Sequence, residues 1–180
     1  MVYVFLAQGF EEIEAVTVVD VLRRGGVCAK TVSISGEKAV CGSHGISIMA
    51  DLLFEDADFS DGRMIVLPGG MPGALNLMAH KGLLDLINSY AQDKKYLAAI
   101  CAAPMVLGKI GLLAGRKATI YPGMEEKIKG AELSASRVTK DGNIITSKGP
   151  GTAMEFSLAL LELLSGKIEK EELAESMVFS

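Results

Sequence analysis

The stretch YLAAICAAP, residues 96–104, decides the fold of this chain, because it leads an apolar strand directly into a helix. Tyr96–Ile100 is a continuous apolar run, which is typical of a strand covered on both faces, as in a parallel sheet. The small residues after Cys101 predict a helix over Ala102–Leu107, with Pro104 in its first turn. Such a turn leaves Cys101 at the carboxyl edge of the sheet, where open α/β sheets hold their ligands.

The same alternation of apolar runs and amphipathic segments continues in both directions from this stretch. Further strands are predicted at Val2–Ala7, Val27–Ile34, Met64–Leu67 and Ala118–Tyr121, with antiparallel pairs at Ala39–Cys41 and Ile46–Ala50 and at Arg137–Thr139 and Ile144–Thr146. Further helices are predicted at Glu11–Arg24, Leu83–Gln92, Thr152–Leu164 and Glu169–Met177. Strands that alternate with helices predict an α/β fold with a mostly parallel sheet.

Length and composition fit one globular domain over residues 1–180. Hydrophobic residues make up 49% of the chain and charged residues 22%, so the chain can bury enough apolar surface to exclude disorder for most of its length. The net charge of −4 and the lack of a basic block exclude an electrostatic nucleic-acid site. No apolar run reaches the roughly 18–20 residues of a membrane span and no basic leader is seen, so we expect a cytoplasmic protein without membrane contact.

The three cysteines fit no zinc-binding spacing and are odd in number, so the sequence predicts neither a metal site nor a disulfide scaffold. Cys101 lies at a predicted helix N-terminus, where free N–H groups and the helix dipole stabilise a thiolate. We therefore expect its pKa to fall below the ordinary value of about 8.5. The alternative is a small buried apolar cysteine, which is also the interpretation of Cys28, whereas Cys41 lies near a turn and is expected to be exposed.

A glycine-rich loop, LPGGMPG at residues 67–73, follows a predicted strand and reaches the same sheet edge. Its backbone amides could cradle an oxyanion or a carboxylate, although a plain turn has the same composition. No Gly-Lys-Ser/Thr sequence follows, which excludes a phosphate-binding P-loop.

Acidic residues cluster at the start of the first predicted helix, at Glu11, Glu12 and Glu14. Acids at a helix start usually lie in solvent and interact with the helix dipole. Glu14 could instead face the sheet edge beside Cys101 and serve as a proton acceptor or as a protonated partner of a thiolate.

The chain resembles the ThiJ/PfpI superfamily, and within it the branch of the parkinsonism-associated deglycases. The matching motifs span nearly the whole chain and are highly specific together. They are AQGFEEIEAV (residues 7–16), VDVLRRG (19–25), LPGGMPGA (67–74), AAICAAP (98–104) and TSKGPGTA (146–153). The resemblance implies a flavodoxin-like three-layer sandwich, with helices on both faces of the sheet, and a homodimer.

The resemblance also implies a site that works without a metal or another cofactor. It places the nucleophile at Cys101, its protonated carboxyl partner at Glu14 and the backbone oxyanion site at Gly70 and Ala102, with Gly69 in the pocket. The implied activity is that of a glyoxalase or deglycase, a cysteine hydro-lyase or hydrolase acting on a small carbonyl substrate, either a reactive dicarbonyl or an early glycation adduct. The family's cysteine also oxidises to sulfinate, which is a redox-sensing trait.

Three positions depart from the family pattern. The family's active-site histidine, before a proline, is replaced by Tyr121, which we expect in the same pocket and whose phenol is a poor base at neutral pH. Ala102 stands where the peptidase branch has a histidine, which argues against a protease. The family's arginine near the subunit boundary is His44 here, which weakens an anion site at pH 7. His44 and His80 follow no strand end of the main pattern, so we expect both at the surface.

The sequence is also compatible with other functions. The chain could be a non-enzymatic sensor of oxidative stress or a chaperone, in which Cys101 oxidises and the dimer changes partners. A role in thiazole biosynthesis, suggested by the superfamily name, has no phosphate loop or ATP motif to support it. The first helix carries apolar residues on more than one face, including Ile13 and Val16, as expected of a helix that packs on a second copy.

Overall fold

A seven-stranded sheet forms the centre of the computed structural model, which describes residues 1–179. Its strands are β1 (Val2–Leu6), β2 (Ala29–Ser33), β5 (Leu52–Leu53), β6 (Met64–Leu67), β7 (Tyr96–Ile100), β10 (Val138–Asp141) and β11 (Ile144–Ser147). Two small separate sheets pair β3 (Ala39–Cys41) with β4 (Ser47–Met49), and β8 (Lys117–Ala118) with β9 (Glu132–Leu133).

The strand order across the large sheet is β10-β11-β7-β6-β1-β2-β5. All neighbours run parallel except β10 and β11, which form an antiparallel hairpin at one edge. β1 lies between β2 and β6, with Val2 in register with Ala29 on one side and Met64 on the other. Because these strands are parallel, the loops that follow β1, β6 and β7 meet at one edge of the sheet.

Six helices cover the sheet within the described residues. They are α1 (Glu12–Arg24), α2 (Gly73–Ala79), α3 (Lys81–Gln92), α4 (Pro104–Lys109), α5 (Ala153–Ser165) and α6 (Lys167–Ser176). α1 packs against α5 and α5 against α6, whereas α2 packs against α3 and α4. The predicted α/β, flavodoxin-like sandwich is confirmed. No helix in residues 1–179 is both long enough and apolar enough to cross a membrane.

Burial explains the sequence patterns of these elements. Every residue of β1 and β6 is buried, so their runs show no polar alternation. In α3 the buried residues Leu83, Ile87 and Tyr90 recur at helical spacing along one face. Each fully buried large aliphatic side chain contributes about 1.5–3 kcal/mol to folding.

Several details differ from the prediction. The strand expected at Ala118–Tyr121 is confined to β8, because Thr119 N donates to the side-chain Oγ1 of Thr146 on β11 rather than to a backbone carbonyl. The sequence pattern predicts neither β5 nor α2. Cys28 precedes β2 and is exposed, so its assignment to the core is wrong, whereas Cys41 is exposed as predicted. All three cysteines are free.

Candidate active site

Cys101 occupies the sharp turn between β7 and α4, at the carboxyl edge of the sheet. Its φ of +61° lies in the left-handed region, which costs a non-glycine residue about 1–3 kcal/mol. Two backbone hydrogen bonds hold it there, because Cys101 N donates to the carbonyl of Ser147 at 3.0 Å and Tyr121 N donates to the carbonyl of Cys101 at 2.9 Å. The ends of β7 and β11 and the segment after β8 thus fix the backbone that carries the thiol.

The loop after β6 brings two glycines against this turn. A Cβ added to Gly69 would lie 2.6 Å from Cys101 Cβ and 2.9 Å from Glu14 Oε2, so a larger residue does not fit. Gly70 has a φ of +86°, and a Cβ there would lie 2.5 Å from the backbone nitrogen of Glu11. The backbone N–H groups of Gly70 and Ala102 lie near the Cys101 thiol and act to lower its pKa.

Glu14 projects from the first turn of α1 into the space beneath Cys101 and is fully buried. Its Oε2 accepts a hydrogen bond of 2.7 Å from Gly69 N, and the carboxyl group lies close enough to the Cys101 thiol for each group to affect the pKa of the other. Oε1 is buried without a conventional hydrogen-bond partner. Glu11 begins the helix as its N-cap, with Oε2 accepting from Glu14 N at 2.7 Å. The general expectation of solvated acids is wrong here, since Glu11 is also buried.

Glu14 and Cys101 are coupled ionisable groups. Burial raises the pKa of Glu14 to about 7. Burial and then the negative charge of Glu14 raise the pKa of the Cys101 thiol to about 12, although the N–H groups of Gly70 and Ala102 lower it. We interpret these raised values as the titration of a coupled pair, because loss of the second proton would place two negative charges side by side in a buried site. The sequence predicts a lowered pKa from the free N–H groups and the dipole of the helix N-terminus, whereas burial and the Glu14 charge outweigh the N–H groups and raise the pKa of the thiol.

Hydrogen-bond donors decide where the single negative charge of this pair lies. The sulfur faces the N–H groups of Gly70 and Ala102, whereas Oε1 of Glu14 has no donor. A buried oxygen without a donor is a poor place for a charge, because nothing replaces its lost hydration. The donor distribution therefore favours a thiolate beside a protonated Glu14 once the pair has lost one proton.

A pocket of about 520 Å³ opens above the thiol. Tyr121 lines it, as the sequence predicts, and so do Gly70 and Ala102. Gly69 does not line it, which corrects the prediction. The residue is buried, and its amide is committed to Glu14 Oε2.

His44 also lines the pocket, and sequence reasoning assigned it no place there. Its side chain is exposed, but Nδ1 lies 2.8 Å from Glu12 Oε2, and its backbone N–H donates to Glu12 Oε1 at 2.7 Å. These bonds lower the pKa of Glu12 to about 2 despite its burial, and the Glu12 charge raises the pKa of His44. Through Glu12, the first turn of α1 thus holds the loop after β3 at the rim of the pocket. His80, by contrast, is half-buried and caps α3, with Nδ1 accepting from Leu83 N.

Within residues 1–179, one cluster of side chains could hold a cation. Glu11, Glu12 and His44 each offer a ligand atom, and these atoms all lie within 4.8 Å of one another. The Glu12 carboxylate already accepts hydrogen bonds from the loop, so a metal would have to displace some of them.

A cysteine with a positive φ at a strand-to-helix turn, beside a buried carboxyl group, defines a class of α/β proteins that carry a thiol at the carboxyl edge of the sheet. The chain belongs to the DJ-1/PfpI family, whose model matches residues 1–163. The resemblance seen in the sequence is confirmed.

Individual relatives agree with this assignment. The chain is 44% identical to Protein DJ-1 homolog A of Arabidopsis thaliana over 172 residues, which is 94% of this chain and 44% of the relative. The chain therefore spans less than half the length of that protein. It is 34% identical to Glutathione-independent glyoxalase DJR-1.2 of Caenorhabditis elegans, covering 87% of this chain and 83% of that one. The solved structure of oxidized Toxoplasma gondii DJ-1 superposes with a TM-score of 0.96 at 35% identity and covers 99% of this chain and 98% of the other.

Proposed function

We propose that this protein is a cofactor-free, cysteine-dependent enzyme that converts reactive dicarbonyls or their early adducts, as a glyoxalase or deglycase does. The observation that carries the proposal is the buried Glu14 carboxyl group beside Cys101, beneath an open pocket. A thiolate supplies the nucleophile, and a carboxyl group whose pKa is near 7 can donate and accept protons at neutral pH. The similarity to a glutathione-independent glyoxalase supports the same reaction class.

The reaction begins at the aldehyde carbon of methylglyoxal. The Cys101 thiolate forms an S–C bond to it, and the aldehyde oxygen takes the proton from Glu14, which gives a hemithioacetal and a Glu14 carboxylate. The N–H groups of Gly70 and Ala102, which lower the pKa of the thiol, could also donate to the oxygen on which charge develops.

The Glu14 carboxylate then removes the hydrogen of the former aldehyde carbon as a proton, and the freed electron pair forms an enediolate. Glu14 returns that proton to the neighbouring carbon, while the hydroxyl proton moves to the neighbouring oxygen. The aldehyde carbon is thereby oxidised and the ketone carbon reduced, which gives a lactoyl thioester of Cys101. Water cleaves the thioester, releasing lactate and the thiol.

The test measures lactate formed from methylglyoxal by the wild type and by Cys101→Ala. We expect many turnovers by the wild type and a loss of at least about 10³-fold in the variant, because the covalent path is removed. Cys28→Ala and Cys41→Ala are matched controls that retain Cys101 and should keep full activity. Equal turnover in Cys101→Ala and the wild type would contradict the proposal.

A second candidate is a redox sensor that uses the same cysteine. The N–H groups of Gly70 and Ala102 and the carboxyl group of Glu14 surround the sulfur, so they could stabilise the oxygens of a sulfinate as well. A sensor would gain two oxygen atoms at Cys101 on treatment with peroxide and would form only stoichiometric adducts with methylglyoxal. Mass spectrometry of the intact protein, together with turnover counts, separates the two functions.

We also propose that the protein acts as a cytoplasmic homodimer. On α1 the residues Val18 and Val21 are buried within the chain, whereas Ile13 and Val16 are exposed, and Met49 is exposed on the neighbouring β4. This apolar surface suits a two-fold contact. Free cysteines, two of them exposed, are typical of a reducing compartment. Sedimentation at micromolar concentration should give about twice the 19.0 kDa chain mass, and a monomer mass would contradict the dimer.

A further inference from the structure

A methionine-rich groove continues from the pocket of Cys101 along the protein surface. It has a volume of about 430 Å³ and contains four methionines, which are Met71, Met78, Met105 and Met124. Met71 and Met124 line both the groove and the pocket, so the two spaces share a boundary. A ligand held at Cys101 could therefore extend into the groove without crossing a polar barrier.

Three short elements build the groove. α2 contributes Leu75 and Met78, which are three residues apart and lie on one helical face. α4 packs against α2 and contributes the buried Met105, while Met124 precedes a 3₁₀ turn that packs on α4. Because α4 begins three residues after Cys101, the floor of the groove and the thiol lie close together in one segment of the chain.

The lining of the groove suits an aliphatic chain of variable shape. Met71 is 49% exposed and Leu75 41% exposed, so both offer apolar surface to a ligand. Methionine side chains are unbranched and polarizable, which lets them adapt to flexible alkyl groups. Each methylene buried on such a surface strengthens binding by about fourfold.

The charges at the rim of the groove favour an anionic group at the far end of the ligand's aliphatic chain. Lys109, Lys127 and Lys129 line the groove with a single acid, Glu126, and Glu126 pairs with Lys129 at 3.4 Å. Lys109 Nζ reaches across from α4 to donate to the carbonyl of Met78 at 3.2 Å, which holds one positive charge over the groove. Positive charge therefore exceeds negative charge along the edge.

We propose that the groove is a substrate subsite for an aliphatic tail that ends in a carboxylate. The inference rests on the proposed function, since it places the reactive 2-oxoaldehyde carbonyl at Cys101 and the tail over Met71 and Met124. The substrate class is then a 2-oxoaldehyde with a tail of several carbons, in preference to methylglyoxal itself.

The kinetic test compares methylglyoxal, 2-oxooctanal and the 2-oxoaldehyde of the same length with a terminal carboxylate. We expect kcat/KM to rise by about tenfold or more from methylglyoxal to 2-oxooctanal, and by a few fold more with the carboxylate, mainly through a lower KM. Leu75→Gln should remove most of the gain for both long substrates and leave methylglyoxal unchanged. Lys127→Glu should lower kcat/KM for the carboxylate substrate below that for 2-oxooctanal.

Matched controls exist on other surfaces of the chain. Leu133→Gln changes a leucine that is exposed on β9, and Lys140→Glu changes an exposed lysine on β10. Both variants should behave like the wild type with every substrate. Equal kcat/KM for the three aldehydes, or equal losses in the control and groove variants, would overturn the subsite.

A binding experiment separates this inference from the proposed activity. Octanoate, which cannot react at the thiol, is titrated into protein labelled at its methionine methyl groups, and the NMR signals are followed. The signals of Met71, Met78, Met105 and Met124 should shift together, whereas that of Met49, exposed on β4, should not. Such shifts without any aldehyde turnover would refute the proposed activity and retain the groove as a binding site. Turnover of methylglyoxal without shifts, or with equal shifts at Met49, would retain the activity and refute the groove.

Discussion

Glu12 and Glu14 are both buried in the first turn of α1, yet the pKa of one falls to about 2 and that of the other rises to about 7. Glu12 accepts backbone N–H groups from His44 and Ile46 and the side chains of His44 and Ser43, so donors replace its lost hydration. The Glu14 carboxyl group accepts only the N–H of Gly69 and lies beside the Cys101 thiol, and its Oε1 lacks a partner. The supply of donors, more than burial, separates a structural carboxylate from one that can exchange protons.

The largest expected effect is the difference in kcat between a variant of Glu14 and the matching variant of Glu12. Glu14→Gln should lower kcat for methylglyoxal by about 10²–10⁴-fold, because an amide can hydrogen-bond to the sulfur but cannot relay a proton. Glu12→Gln should keep kcat within about fivefold, since Glu12 holds the loop and not the reacting atoms. Lactate assays on the wild type and the two variants check this prediction. Equal losses of kcat in the two variants would contradict the different roles of Glu12 and Glu14.

A histidine introduced at Tyr121 tests whether Glu14 is the only base available in the pocket. Tyr121 lines the pocket but offers a phenol, so the proton relay depends on Glu14 alone. Tyr121→His should raise methylglyoxal consumption by up to about 10²-fold, because imidazole accepts protons at neutral pH. Tyr121→Phe is the control and should stay within a few fold of the wild type. If the histidine variant also stays there, Glu14 suffices as the base.

The two acids should also affect stability in opposite directions as pH changes. The pKa of Glu14 is higher in the folded protein, at about 7, than its ordinary value of 4.5, so its stabilising contribution is complete below pH 4.5 and is lost as pH rises through about 7. The loss is about 3 kcal/mol, at about 1.4 kcal/mol for each pKa unit. Urea unfolding of the wild type across this range should show the decline.

The variants identify the source of that decline. Glu14→Gln should abolish the fall in the free energy of unfolding between pH 4.5 and 7, because the titrating group is gone. Glu12, whose pKa drops to about 2, stabilises the fold above pH 4.5 and loses this effect as pH falls through about 2. An unchanged profile in Glu14→Gln would show that another group titrates.

The location of the shared charge can be read from thiol alkylation. In the wild type, iodoacetamide labelling of Cys101 should increase with a midpoint near pH 7, when the pair loses its first proton. Glu14→Gln should keep that midpoint within about one pH unit if the charge already lies on the sulfur, because the amide still donates a hydrogen bond. A midpoint that moves up by about two units or more would place the charge on the carboxylate instead. Peptide mass spectrometry distinguishes Cys101 from the exposed cysteines.

The smallest effect concerns the loop tied to Glu12. The pKa of His44 is raised by Glu12, so its stabilising contribution is complete below the ordinary value of about 6.5 and is lost as pH rises through the raised value. His44→Gln should therefore lower Tm slightly at pH 6 and change it less at pH 9. Because the side chain is exposed, salt should weaken the effect. A Tm difference that is the same at both pH values would exclude an ion pair.

Much of the fold could be predicted from the sequence by itself. Continuous apolar runs mark β1, β6 and β7 because these strands are covered on both faces, and the abrupt junction at Cys101 places the thiol at the carboxyl edge. The family motifs indicated Glu14 and the amides of Gly70 and Ala102. These features depend on local pattern and on residue type, which a sequence displays directly.

Only the tertiary structure decided how the site is charged. The acids of α1 share one local pattern, but whether each is neutral or charged depends on donors supplied by distant loops, namely Gly69 for Glu14 and the segment after β3 for Glu12. The same holds for the thiol, whose pKa reflects burial under the β6 loop and the charge of Glu14 more than the helix that follows it. Electrostatic energies depend on the distance between charged groups and on their exclusion from solvent. Both quantities are set by segments that are far apart in the chain, so neither follows from the order of the residues.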